Sequence, residues 1–473
     1  MNESGTGQGT VTDAISPDSW RTLSITSLVG FMVSMEITVI ALALPEIRDA
    51  FPDAAESTLS WIITAYNIGL ASLLLVAGWA ADRFGRKRVF LIGLGLFTLG
   101  SLAAGFAPGI ETLIAARIFQ SFGGAMQFPA GLALLLNAFP PARRQMAIGI
   151  WGAMGGLAAA VGPPLGGFLV SAFGWRSVFL INVPVSTGAL LLGIGWLSES
   201  RNESSPSRVD LVSIPVGTIG VGAMVLGIVR GSDWGWAGAN TIGTFALGGA
   251  LVAIFVFRSS RHPSPLFDLG LFRTRSFTLG NLGSIFFVIA FFAYFVPLPT
   301  YIQEVWGWSA LKTGLLVVPS PLVAAVLSPL SGRLADRIGA APILTVGGIA
   351  GVMAMGLHLW LTDTDAIAWT MIVPGLMLGI AAGCSFAMLV GATMQDIPSD
   401  RFGMAGAGRT TVFQLGLAVS IAVAVAIVGR PVSASDHLSV IRVLWLVSLG
   451  CFAAQAIVFG VLFPKRAPGS QRT

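Results

Sequence analysis

Residues 366–394 contain no Asp, Glu, Lys or Arg, and neither do residues 340–361 shortly before them. About 20 largely apolar residues are enough to cross the hydrocarbon of a bilayer as a helix. Lipid offers no partner to an unpaired backbone amide, so runs of this kind fold as helices. The same reading along the chain predicts fourteen helices, over residues 22–47, 58–81, 88–107, 111–137, 145–171, 175–198, 210–230, 240–258, 276–299, 310–333, 340–361, 366–394, 403–429 and 439–463. Composition agrees. Of 473 residues, 54% are hydrophobic and only 10% charged, and the mean hydropathy is +0.81. The expected class is an all-α membrane protein.

A net charge of +5 could suggest a nucleic-acid partner, but the positions of the basic residues argue for a membrane instead. With the N-terminus inside, most of the 27 Lys and Arg fall on cytoplasmic tails and loops, among them Arg83, Arg86, Lys87, Arg88, Arg143, Arg144, Arg258, Arg261, Arg273 and Arg275. Only Arg48, Arg176, Arg230, Lys312 and Arg430 fall on the opposite side, while Arg117, Arg409 and Arg442 lie within spans. This bias places both termini in the cytoplasm. Residues 1–20 carry no Lys or Arg and no apolar core, so no signal peptide is expected. The two cysteines, Cys384 and Cys451, both sit in apolar runs and imply neither a disulfide framework nor a metal site.

One short polar string occurs twice. Gly78-Trp79-Ala80-Ala81-Asp82-Arg83-Phe84-Gly85-Arg86-Lys87-Arg88 returns as Gly332-Arg333-Leu334-Ala335-Asp336-Arg337-Ile338-Gly339. Each has a glycine four residues before an Asp-Arg pair and another three after the aspartate, at the end of a long apolar run. Such a recurrence is what a duplicated carrier rocking about a central site requires. The first copy follows the second predicted helix and the other follows the tenth, so a six-plus-six duplication leaves the seventh and eighth helices as an insertion. Polar stretches at residues 198–206 and 259–265 bracket that insertion. The expected organisation is an N-terminal six-helix bundle over 1–198, a linker with two inserted helices over 199–275 and a C-terminal bundle over 276–473.

The first string, through Gly78, Asp82, Arg83, Gly85, Arg86 and Lys87, resembles the loop signature of the major facilitator superfamily, and fourteen helices resemble its multidrug proton antiporter branch. Further strings resemble that branch: Ala43-Leu44-Pro45, Trp61-Ile62-Ile63-Thr64-Ala65-Tyr66, Trp175-Arg176-Ser177-Val178-Phe179-Leu180-Ile181-Asn182-Val183-Pro184 and Gln414-Leu415-Gly416. The resemblance implies a gating turn in which Asp82 meets the start of the thirteenth helix near Gly403. The small Gly78 and Gly85 would let helices approach, and Arg86, Lys87 and Arg88 suit a positive-inside anchor. The second copy, Gly332, Asp336, Arg337 and Gly339, is the matching loop of the other half. In the fifth span, Gly162-Pro163-Pro164-Leu165-Gly166-Gly167 resembles the superfamily's antiporter motif, with Gly162, Pro163, Gly166 and Gly167 expected to hold a tight, kinked interface.

The fourth span carries Arg117 in a string similar to the family's second motif, with Ser121 where glycine is usual, and the first carries Glu36, where the family commonly has aspartate. Glu36 is the only acid deep in any predicted span. At 1.5 Å per residue it lies about 15 Å below the outer end of its helix and Arg117 about 9 Å below its own, a gap two long side chains can close. Charges within a membrane are costly and face a partner or a cavity. Burial disfavours the charged carboxylate and the guanidinium favours it, so the pair is a candidate proton switch. Tyr66, Asn67, Gln120, Phe286 and Phe292 are candidates for a substrate cavity. His358 is expected at the membrane interface, and Trp234, Trp236, Trp306, Trp308, Trp360 and Trp369 in an outer belt. Arg409 has no assigned role, because family members often carry Asn there and Arg in place of Phe413.

No Gly-x4-Gly-Lys-Ser/Thr loop is present to cradle ATP. The expected function is proton-coupled export of lipophilic small molecules from a plasma membrane, by a monomer without a cofactor, whose partners are the substrate, protons and lipid but not nucleic acid. An uptake carrier for a metabolite is the alternative, and its site would need more converging polar groups than these spans offer. A membrane enzyme or sensor is more remote, since neither His-Glu-x-x-His nor Gly-x-Ser-x-Gly occurs and His262, His358 and His437 are scattered.

Overall fold

A computed structural model describes residues 15–201 apart from 55 and 60, residue 210, residues 212–262, residues 267–428 apart from 296 and 309, and residues 434–464. Every predicted segment overlaps a long helix. In chain order these are α1 Pro17–Ala50, α2 Trp61–Phe84, α3 Arg86–Gly105, α4 Ile110–Ala138, α5 Arg144–Phe173, α6 Ser177–Trp196, α7 Ser213–Trp234, α8 Ala239–Arg261, α9 Arg275–Phe295, α10 Pro319–Ile338, α11 Ala340–Leu361, α12 Trp369–Met394, α13 Phe402–Val428 and α14 Ala434–Ile457. Among the described residues nine helices are long and apolar enough to cross a membrane, or up to ten if the bent pair Ile110–Ala138 and Pro141–Gly155 is one span.

Local chemistry sets the helix ends. Ser16 caps α1, its hydroxyl accepting from the Ser19 amide at 3.1 Å, with Pro17 in the first turn, where its missing N–H costs nothing. Between α2 and α3 the whole connection is Gly85, at φ +107°, and between α10 and α11 it is Gly339, at φ +85°. An L side chain rarely adopts that backbone, which is why both copies of the polar string need glycine three residues after the aspartate. The expectation that Gly85 admits a neighbouring helix is corrected: its conformation makes the turn, and the close approach belongs to Gly78.

Two sets of six helices pack by the same scheme. In the first, α1 lies against α4, α5 and α6, α4 lies against α2 and α3, and α3 against α6. In the second, α9 lies against α12, α13 and α14, α12 against α10 and α11, and α11 against α14. The sets meet crosswise, α2 on α13 and α5 on α10, the second helix of each against the fifth of the other. Helices α7 and α8 form a hairpin outside both sets, and α7 packs on α2 and α13 together. At the hairpin's base buried Asp210 accepts from Arg258 Nε at 3.0 Å, from Arg258 Nη2 at 2.6 Å and from the Ser213 hydroxyl at 2.6 Å. The Arg258 hydrogen bonds, with those of Ser213, hold the Asp210 carboxyl well below the usual carboxylate range.

Between α9 and α10 stands a short helix, Leu298–Trp306, where the sequence reading places a loop. It buries Leu298, Tyr301, Ile302 and Trp306, and the Tyr301 hydroxyl donates to the Asp363 carbonyl at 3.1 Å. Trp306 is therefore packed, not interfacial, whereas Trp236, Trp360 and Trp369 are exposed as a belt requires.

Candidate functional site

Glu36 lies buried in the first set, and every polar atom of its carboxylate is engaged. Oε1 accepts from Arg117 Nη1 at 2.5 Å and from Gln120 Nε2 at 2.9 Å, and Oε2 accepts from Asn182 Nδ2 at 2.8 Å. Gln120 Oε1 in turn accepts from Arg117 Nη1 at 2.5 Å, and Gln120 Nε2 also donates to the Ser101 hydroxyl at 2.7 Å. Arg117 Nε donates to the Ile62 carbonyl at 3.1 Å, and its guanidinium lies 4.1 Å from the centre of the Tyr66 ring. Five helices, α1, α2, α3, α4 and α6, thus converge on one acid. Glu36 is 3% exposed and Arg117 1%, so the pair is shielded from bulk water and removal of either charge leaves the other uncompensated.

This geometry reassigns two cavity candidates. Tyr66 and Gln120 are wholly buried within the acid's network and do not line open space. The sequence reading missed Asn182 and Ser101 as ligands of the network. Asn182 lies seven residues past Trp175, about 10 Å down its helix at 1.5 Å per residue, and that depth, level with Arg117, was the signal available.

The first polar turn joins the two sets. Asp82 Oδ1 accepts from the Gly403 amide at 3.1 Å and Oδ2 from the Met404 amide at 2.6 Å, the first turn of α13, where free N–H groups and the helix dipole favour an anion. A Cβ on Gly78 would stand 2.7 Å from the Gly403 carbonyl oxygen and would collide with the Ala407 Cβ. Arg86 is not the solvated anchor expected. It is buried, donates to Asp82 through Nε at 3.1 Å and Nη2 at 2.9 Å, and crosses to the Ser399 carbonyl at 2.8 Å. Lys87 and Arg88 sit more openly, and their amides donate to Glu199. Arg83 is partly buried.

The second turn repeats the arrangement on α5. Asp336 Oδ1 accepts from the Gln145 amide at 3.1 Å, while a Cβ on Gly332 would meet the Gln145 carbonyl oxygen at 2.6 Å. Position 340, four residues past Asp336, is alanine where the first turn has Arg86, and Asp336 Oδ2 is buried without a hydrogen bond. Arg337 is exposed.

The antiporter-like segment lies in an uninterrupted stretch of α5. Gly162 and Gly166 are buried, the Pro163 side chain falls outside the described ones, and Gly167 is exposed with open space around it, so the expected tight contact does not extend to Gly167. Nearer the start of α5, Gly149 lies against the Ser328 carbonyl and Gly152 against Ala387.

In the second set Phe286 and Phe292 are half-buried, and Phe292 belongs to an aromatic cluster with Phe291, Phe386 and Phe413. Asn67 is half-buried on α2. His358 is fully buried, contrary to an interfacial position: its ring stacks on Trp445 at 4.8 Å and lies 5.0 Å from Tyr294.

Over residues 26–421 the chain matches the family model described as Major Facilitator Superfamily. The chain belongs to that superfamily. As a member it is a multi-pass membrane transporter. It is 34% identical over 406 residues to the multidrug resistance protein Stp of Mycobacterium tuberculosis, covering 85% of this chain and 74% of that one. It is 31% identical to the tetracenomycin C resistance and export protein of Streptomyces glaucescens, covering 85% and 75%, and 31% identical to the methylenomycin A resistance protein of Streptomyces coelicolor, covering 88% and 87%. Among solved structures, the proton:xylose symporter XylE superposes with a TM-score of 0.67 at 16% identity over 96% of this chain and 97% of that one. The human organic anion transporter MFSD10 (TETRAN) gives 0.66 at 13% identity over 94% and 100%. At such identities these two show the superfamily fold alone.

Proposed function

We propose that this superfamily member is a proton-driven exporter of lipophilic small molecules, working by alternating access in a plasma membrane. The observation that carries the reading is the buried Glu36, held by Arg117, Gln120 and Asn182. The names of the relatives, resistance and export proteins, support export of drug-like compounds. All fourteen long helices cross the membrane with both termini in the cytoplasm. Residues 1–198 and 276–473 are the moving halves, 199–275 carry the inserted pair, and the monomer is the working unit.

Energy comes from the proton gradient, with no cofactor. One charge crossing 100 mV is worth about 2.3 kcal/mol, enough for roughly a fiftyfold substrate gradient. A proton arriving from outside neutralises Glu36, and the attraction that draws Arg117, Gln120 and Asn182 around it weakens. The first set then repacks. Asp82 and Asp336 release the starts of α13 and α5, and the cytoplasmic ends of the halves part to admit substrate. Loss of the proton to the cytoplasm rebuilds the network, recloses those ends and releases substrate outside.

The test is uptake of lipophilic dyes and antibiotics into everted membrane vesicles. The intact chain should concentrate them, a protonophore should abolish the gradient, and Glu36→Gln should reach the membrane in normal amount yet transport at background. Full pH-driven transport by Glu36→Gln would remove the assignment, and transport only in the inward direction of the intact cell would favour an uptake carrier.

A further inference from the structure

Arg409 is 7% exposed, yet among the described residues it makes no ion pair and no hydrogen bond, and its Nε is buried without a partner. It lies instead against an aromatic face, its guanidinium 5.6 Å from the centre of the Phe413 ring. Of the other buried arginines, Arg117 has Glu36 and Arg86 has Asp82, and Arg230 lies against two indole rings, those of Trp61 and Trp234, whereas Arg409 has no acid and one ring. A guanidinium out of water without a counter-charge is costly, and a cation–π contact offsets only part of that cost. A cation held in this way is a site for an anion that arrives from elsewhere.

Its position fits a ligand route. Phe402, Gly406, Arg409 and Phe413 follow one another at helical spacing and share a face of α13. At the lower end of that face Phe402 lies under Arg144, and Gly406 faces Pro129 and Leu132 of α4 in the first set. At the upper end Phe413 meets Phe292 of α9 and Phe386 of α12, both rings 6.4 Å away, in the second set. Arg409 therefore stands where the two halves converge, about 10 Å along α13 from Phe402 at 1.5 Å per residue. The half-buried rings beside it offer flat apolar surface, and its planar fork matches a carboxylate.

We infer that Arg409, with Phe413, Phe386 and Phe292, forms a subsite that selects lipophilic anions, an aromatic body carrying a carboxylate or phenolate, among the compounds exported. This rests on the export reading above and names its substrate class. The test compares an anionic aromatic dye, carboxyfluorescein, with a cationic one, ethidium, in the everted vesicles. The intact chain should transport carboxyfluorescein. Arg409→Gln should lower the ratio of carboxyfluorescein to ethidium transport about ten- to hundredfold, the loss of a charge-assisted hydrogen bond. Arg409→Lys, which keeps the charge but not the fork, should lower the ratio less.

Ethidium transport without carboxyfluorescein transport in the intact chain would overturn the subsite and leave the exporter standing. An unchanged ratio in Arg409→Gln, including equal loss of both dyes, would overturn it too. If Arg409→Gln fails to reach the membrane, the ratio in Arg409→Lys decides, and no fall there counts against the subsite. Transport of neither dye nor any of the wider panel would overturn the export reading, and this inference with it.

Discussion

The two six-helix sets pack by one scheme but fill the same place differently, one with a buried ion pair and the other with packed rings. Where α1, α3, α4 and α6 meet, the first set buries Glu36, Ser101, Arg117, Gln120 and Asn182 in one hydrogen-bonded network. At the corresponding meeting of α9, α11, α12 and α14 the second set packs Phe287 against Phe386 at 4.7 Å and against Phe452 at 6.2 Å, with Phe452 pressed on Gly351. The backbone scheme is indifferent to what fills it. A helix bundle needs only matched volume and satisfied polar atoms, so one half is free to bury an ion pair while the other buries rings and the neutral pair Gln455 and Ser385, hydrogen-bonded at 2.9 Å. The two polar turns differ in the same sense: both aspartates cap a helix of the opposite half, but only Asp82 is braced by a buried arginine.

These contrasts can be broken by substitution, beginning with the polar core. Arg117→Met should strand the Glu36 carboxylate and destabilise the chain by about 3–5 kcal/mol, read as a fall in thermal midpoint in detergent. Adding Glu36→Gln to that variant should recover part of the loss, because no buried charge then remains unpaired. Phe386→Ala should cost about 2 kcal/mol, discounted from a fully buried ring because Phe386 is half-buried. It should leave the pH dependence of transport unaltered, and a shifted pH profile would mean that the second set also handles protons. Asp82→Asn weakens charge-assisted bonds to two amides and Arg86, so interconversion should slow about tenfold, a loss of about 1.5 kcal/mol. Asp336→Asn, with no braced arginine to strand, should slow it only about twofold, near the 0.3–1 kcal/mol of a helix-dipole contact. Equal slowing by the two asparagines would show that Arg86 adds nothing to the gate.

Much of this is legible in the sequence. Runs without charge gave the helices, and the repeated string gave the duplication, because spacing survives in a sequence even where contacts do not. Glu36 and Arg117 could be paired because each is a charge set in oil, and their depths differ by no more than two long side chains can span. The environment of Arg86 was not legible: three successive cations look alike in sequence, and only the arrival of α13 and Ser399 buries the first of them. His358 misled for a related reason. Its place near a helix end suggests water, yet Tyr294 and Trp445 close over it from other helices.

The sequence by itself determined that this chain is helical, membrane-embedded and built twice on one plan, since apolar length and periodic glycine act locally. Only the tertiary structure decided which polar atoms share the acid, that Arg86 is buried, that α7 bridges α2 and α13, and that Arg409 is left without a counter-charge. Each of those depends on which helices become neighbours, and side chains hundreds of residues apart meet only through packing that no local rule encodes.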